Sequence, residues 1–139
     1  MGKLGPSKHL TWEELACKDG TPYPEKYIKD GTVELLAAAF EGIRAIWNKP
    51  IIVVSAYRTN SWNTKIGGAR KSQHKLGRAL DLLPPHGISV RTFHETILDF
   101  SFWCDIKGIG LYKNFVHIDV RESPRMITWE GKGLKDYNV

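Results

Sequence analysis

Two short stretches decide how this chain folds: Ala79-Leu80-Asp81-Leu82-Leu83 and Phe115-Val116-His117-Ile118-Asp119-Val120. Both are apolar runs of strand type with ionisable residues set inside them. Side chains alternate along a strand, so in the second run Val116, Ile118 and Val120 share one face. Phe115, His117 and Asp119 share the other. One face reads as core, and the opposite one carries an imidazole beside a carboxylate. In the first run every neighbour of Asp81 is apolar. A carboxylate buried without a partner costs several kcal/mol, comparable to the stability margin of a whole domain. Asp81 therefore has to meet a cation, a metal or several hydrogen-bond donors.

Upstream of the first run stands Ser72-Gln73-His74-Lys75-Leu76-Gly77-Arg78. The offset from His74 to Asp81 is odd, so on one unbroken strand the two would point to opposite faces. Gly77 permits a turn or bulge that resets the register, which lets His74 lean from a loop over the strand end. Two imidazoles and one carboxylate are a common catalytic zinc set, with a fourth position open to water. Each residue alone has a plainer reading: a histidine satisfied in the core, or an aspartate paired with Arg58, Arg78 or Arg121. Together, on adjacent strand ends, His74, Asp81 and His117 favour a metal.

Around these runs the pattern is that of one small α+β domain. Thr11-Trp12-Glu13-Glu14 has capping-box spacing and opens a short helix ending near Cys17. Leu36, Phe40, Ile43 and Trp47 recur at steps of three and four, which predicts a helix from about Val33 to Trp47. Pro50 ends it, and Ile51-Ile52-Val53-Val54 reads as a central strand. Asn60 to Ile66 fits one helical turn, and Ser89 caps a helix through about Trp103. Gly108 to Tyr112 and Phe115 to Val120 form a hairpin about Lys113-Asn114. The expected architecture is α+β, with helices first and in the middle and a small antiparallel or mixed sheet between them. Residues 1–139 make a single domain with its core at about 11–121. Residues 122–139 form an irregular tail in which Met126-Ile127-Thr128-Trp129 is a candidate edge strand.

Composition narrows the class. The chain has 139 residues, 42% hydrophobic and 25% charged, so neither disorder nor a fibrous protein fits. Apolar runs such as Leu35 to Phe40 are far too short to span a membrane. Twenty Lys+Arg against fifteen Asp+Glu leave a net charge of +5, which favours an anionic partner without choosing one. Cys17 and Cys104 cannot build a disulfide framework and read as two free thiols. Met1 to Pro6 is positively charged with no apolar stretch behind it, so no standard secretory signal is read.

The segments Ser55 to Thr59, Gly67 to Asp81, Gly110 to Tyr112 and Phe115 to Arg121 resemble the zinc D-alanyl-D-alanine carboxypeptidase family. Cys17 to Thr21 is similar to its small single-domain branch in bacteria and their phages. The resemblance implies one zinc ion held by His74, Asp81 and His117, with Arg58 polarising the scissile carbonyl and Ser72 beside the substrate. It implies the fold shared with hedgehog signalling domains, a small antiparallel sheet with helices packed on one side. The substrate implied is bacterial peptidoglycan, cut at a peptide bond involving a D-amino acid by a carboxypeptidase or an endopeptidase. A monomer is expected, acting on the cell wall after release by a holin or carriage in a virion. Better-known members place a catalytic Glu or Asp where this chain has Asn114. Asp119 is the candidate general base; its other role would be to fix the His117 tautomer or pair with Arg121. Glu122, His94 and His86 are weaker candidates.

Three other classes compete. A zinc-bearing cell-wall binding module without activity would suit Asn114. A nonheme iron oxygenase could use His117-x-Asp119, but no histidine follows position 117 to complete it. Nucleic-acid binding through Trp62, Arg58 and Arg70 would leave the burial of Asp81 unexplained.

Overall fold

The computed structural model describes residues 4–131. Five helices and five strands follow the chain in the order α1 (Trp12–Leu15), α2 (Glu25–Lys29), α3 (Thr32–Trp47), β1 (Val53–Ser55), α4 (Asn60–Lys65), β2 (Ala79–Leu82), α5 (Val90–Phe100), β3 (Gly108–Leu111), β4 (Val116–Asp119) and β5 (Ile127–Glu130). Single 3-10 turns occupy Gln73–Leu76 and Ser101–Trp103. The strands form one mixed sheet ordered β1-β2-β4-β3-β5, antiparallel except where β5 runs parallel to β3. This is the expected α+β architecture.

Strand alternation divides the sheet into two chemically different faces. In the β2–β4 register Leu80 lies opposite Ile118 and Leu82 opposite Val116. Ile109 and Leu111 of β3 continue the same rows. These side chains join Leu36, Phe40 and Ile43 of α3 and Phe93 and Ile97 of α5 in one buried cluster. Burying a side chain of this kind contributes about 1.5–3 kcal/mol, so this face carries the stability of the fold. On the other face Asp81 lies opposite His117, and Ala79 opposite Asp119. The face built for function is thus fixed by the same pleat that builds the core.

The helices start where their caps dictate. Thr11 and Glu14 close a full capping box at α1, Thr59 accepts from the Trp62 amide at α4, and Ser89 accepts from the Thr92 amide at α5. One expectation needs correction. The Ile51–Val54 run is not central: β1 is an edge strand, pairing only with β2. Helix α1 packs against it, with the Tyr57 amide donating to the Leu15 carbonyl, and of this run Ile51 and Val53 are buried while Ile52 is exposed. Helix α2 went unread because its five residues carry no amphipathic period. Within the tail, β5 falls where Met126-Ile127-Thr128-Trp129 was a candidate edge strand, and it lies at the sheet edge; residues 132–139 lie outside the described part. Cys17 and Cys104 are free thiols.

Candidate metal centre

The two central strands bring Asp81 and His117 side by side, and a loop lowers His74 onto them. Gly77 ends the 3-10 turn in the left-handed region at φ 68°, where any side chain would be strained. A Cβ there would also lie 2.6 Å from the Tyr27 ring. With that reversal, His74 Nε2 comes 3.1 Å and His117 Nδ1 3.0 Å from the same oxygen, Asp81 Oδ1. The three donor atoms lie within 4.8 Å of one another, and all three residues are buried.

The partners of the other ring nitrogens fix which lone pairs point inward. His74 Nδ1 lies 2.6 Å from the Ala56 carbonyl oxygen, which can only accept, so the ring proton sits on Nδ1. His117 Nε2 lies 2.7 Å from Asp119 Oδ2, an ionised carboxylate that also only accepts. Both free lone pairs therefore converge with a carboxylate oxygen on one point. Unprotonated, that arrangement is repulsive unless a cation fills it, and two nitrogens with one oxygen is a donor set that suits zinc. These three residues could hold a metal ion.

The electrostatics follow from burial and contacts. Burial penalises the Asp81 carboxylate, but the adjoining imidazoles of His117 and His74, in the protonated forms that can donate to it, outweigh burial and hold its pKa below the ordinary range. Burial raises that of Asp119 too, yet Arg121 and His117 pull it down to about 2. For His74 burial dominates and pushes the pKa down. For His117 burial is outweighed by Asp119 and Asp81, so its pKa is raised. Arg58 serves Asp81 from the opposite side: its Nη2 lies 3.3 Å from Oδ2, while Nε donates to Ser55 Oγ and Nη1 to Asn63 Oδ1. The arginine reading and the metal reading of Asp81 therefore coexist, one on each carboxylate oxygen.

The cluster forms part of the wall of a cavity of about 530 Å³. Arg58 and Ser72 line it together with His74, Asp81 and His117. Ser72 also accepts from the His74 amide, so it starts the turn that presents that ring. Asp119 does not line the cavity; it is fully buried, and Arg121 holds it through Nε to Oδ1 and Nη2 to Oδ2, both 2.8 Å. Gly108 makes this placement possible, since a Cβ there would come within 2.2 Å of the Asp119 carboxylate. Among the described residues Asp81 is the one carboxylate on the cavity wall, and Asn114, Glu122, His94 and His86 are not on it. Glu122 pairs with Arg78 instead. Tyr112, Gln73, Lys71 and Trp129 belong to the wall and were not read from sequence. Gly108-x-Gly110 was the available signal: two absent side chains in register with Asp119 and His117 leave room on that face for the Asp119 carboxylate and the Trp129 ring.

A search of curated proteins returned no match. A family model described as Peptidase M15 matches residues 8–119, most of the chain, including every residue of the His74, Asp81 and His117 cluster. The protein belongs to the peptidase M15 family.

Proposed function

We propose that this protein is a zinc-dependent peptidoglycan peptidase, hydrolysing a peptide bond that involves a D-amino acid in the wall stem or cross-bridge. The observation that carries the reading is the convergence of two imidazole lone pairs and one carboxylate oxygen beside an open cavity, in a chain of this family. His74, Asp81 and His117 would hold the ion. When bound, zinc supplies Lewis-acid polarisation and lowers the pKa of a coordinated water towards about 7. Arg58 keeps its guanidinium on the cavity wall through Ser55, Asn63 and Asp81, in reach of a carbonyl whose oxygen gains charge. Removing one such donor typically costs about 2.7–4 kcal/mol of barrier. Ser72 would lie beside the substrate backbone.

Asp119 is assigned to orienting His117 and not to proton transfer, because His117 and Arg121 already engage both its oxygens. The substrate is a cell-wall polymer, so the proposed place of action is outside the membrane. No helix among the described residues is long and apolar enough to cross one. We take the working unit to be a monomer with one zinc and no nucleic-acid partner.

The second reading, a zinc-bearing wall-binding module, is favoured by the absence of a second carboxylate from the described cavity wall. One experiment separates them. Purified protein loaded with one zinc is incubated with bacterial sacculi, and released amines and fragments are followed by mass spectrometry. New amino termini, abolished by chelator and restored by zinc, are expected. Retention on sacculi with no new termini would establish the binding module instead.

A further inference from the structure

The sheet does not end at the site. Strand β5 adds to the outer edge of β3 with Trp129 in register with Gly110, beyond the residues that match the family. A Cβ at Gly110 would lie 2.6 Å from the indole, so the space above that position is filled by Trp129. From there one half-buried ring reaches three residues of the cavity wall. Its centroid is 5.1 Å from that of His117, it lies 5.3 Å from the Arg121 guanidinium carbon, and its Nε1 donates to Tyr112 Oη at 3.0 Å. Tyr112 in turn stacks on Phe115 at 4.6 Å with nearly parallel planes.

The geometry points to Trp129 as a positioning residue for His117. It acts twice: directly against the imidazole, and through Arg121, which grips Asp119, which accepts from His117 Nε2. A guanidinium over an indole face is attracted by the ring quadrupole, so the aromatic ring and not merely its bulk holds Arg121 in place. Fixing the imidazole fixes where the Nδ1 lone pair points, and partners of metal-binding histidines typically govern affinity by 10–100-fold. Trp129 meets the imidazole by ring packing and not by a hydrogen bond, so an effect below that of a hydrogen-bonded partner, about three- to tenfold, is expected of it. The inference uses the metal-holding part of the proposed function and not its hydrolytic part.

The test measures zinc affinity by chelator competition in the full chain, with no substrate present. Trp129→Leu, which stays apolar but loses the aromatic face, should bind zinc about three- to tenfold more weakly; Trp129→Phe, which keeps a ring over His117 and Arg121, should recover most of that. Cobalt(II) placed in the centre should quench tryptophan emission of the wild type, and most of this quench should vanish in Trp129→Phe although four tryptophans remain. Should Trp129→Leu fail to fold, the cobalt quench in Trp129→Phe decides alone. Zinc affinity of Trp129→Leu within twofold of wild type, or an unchanged quench in Trp129→Phe, overturns the assignment. Loss of zinc affinity in a protein that releases nothing from sacculi would sink the peptidase and leave Trp129 in its role.

Discussion

His74 and His117 stand 5.0 Å apart ring to ring, and the chain secures them by different means. His74 comes from a loop, its proton taken by the main-chain carbonyl of Ala56 and its position set by the reversal at Gly77. His117 comes from the middle of a sheet and is steadied by side chains: Asp119, then Arg121, with Trp129 against the imidazole itself. The first support is written in backbone geometry and the second in side-chain chemistry. Substitution can strip the second a group at a time, whereas the first yields only when the loop itself is bent.

The contrast can be broken outright at the ligands. His74→Ala, Asp81→Ala and His117→Ala should each abolish stoichiometric zinc, measured by metal analysis after dialysis, and with it any metal-dependent rise in thermal stability. Full zinc in any one of them would remove that residue from the set. Asp119→Asn sharpens the comparison, because it weakens only the strand-side support. Zinc affinity should fall by about 10–100-fold in chelator competition. The loop-side counterpart is Gly77→Ala, which forces a side chain into the left-handed region. A destabilisation of about 1–3 kcal/mol is expected in denaturant melts, with weaker zinc binding as His74 shifts.

The smallest effect should come from a contact remote from both histidines. Glu41 of α3 accepts from the His9 amide at 2.6 Å and from its ring at 2.7 Å, pinning the N-terminal arm. Glu41→Gln should cost about 0.5–1.5 kcal/mol and leave zinc affinity unchanged. Burial raises the Glu41 pKa, but the neighbouring Ser7 hydroxyl and the hydrogen bonds with His9 outweigh it and the net shift is downward. A depressed carboxylate stabilises the fold above its unfolded value of roughly 4.3 and loses that contribution as pH falls through the folded value. The gap between wild type and Glu41→Gln in thermal melts should therefore close in acid.

What could be read from the sequence was whatever local periodicity controls. Alternation along Phe115 to Val120 assigned His117 and Asp119 to one face, and Gly77 resolved the odd spacing between His74 and Asp81. The long helix announced itself through Leu36, Phe40 and Ile43. Pairings decided at long range were not legible. An apolar run such as Ile51 to Val54 suggests a strand covered on both faces, yet only Ile51 and Val53 are buried and Ile52 is exposed. The place of β5 depends on a parallel pairing with β3 across the intervening hairpin, so a polar tail gave no sign that Trp129 reaches the cavity. For Asp119 alternation left two roles open, and the Arg121 contact that the sequence offered as the alternative is the one the fold makes.

Each of the three metal-facing groups already has a partner within the protein: a carbonyl for His74, a carboxylate for His117, a guanidinium for Asp81. A cleft braced this way is finished before any ion arrives. Capture then needs little rearrangement of the polypeptide, and stripping the ion should leave an empty socket of the same shape, ready to be refilled.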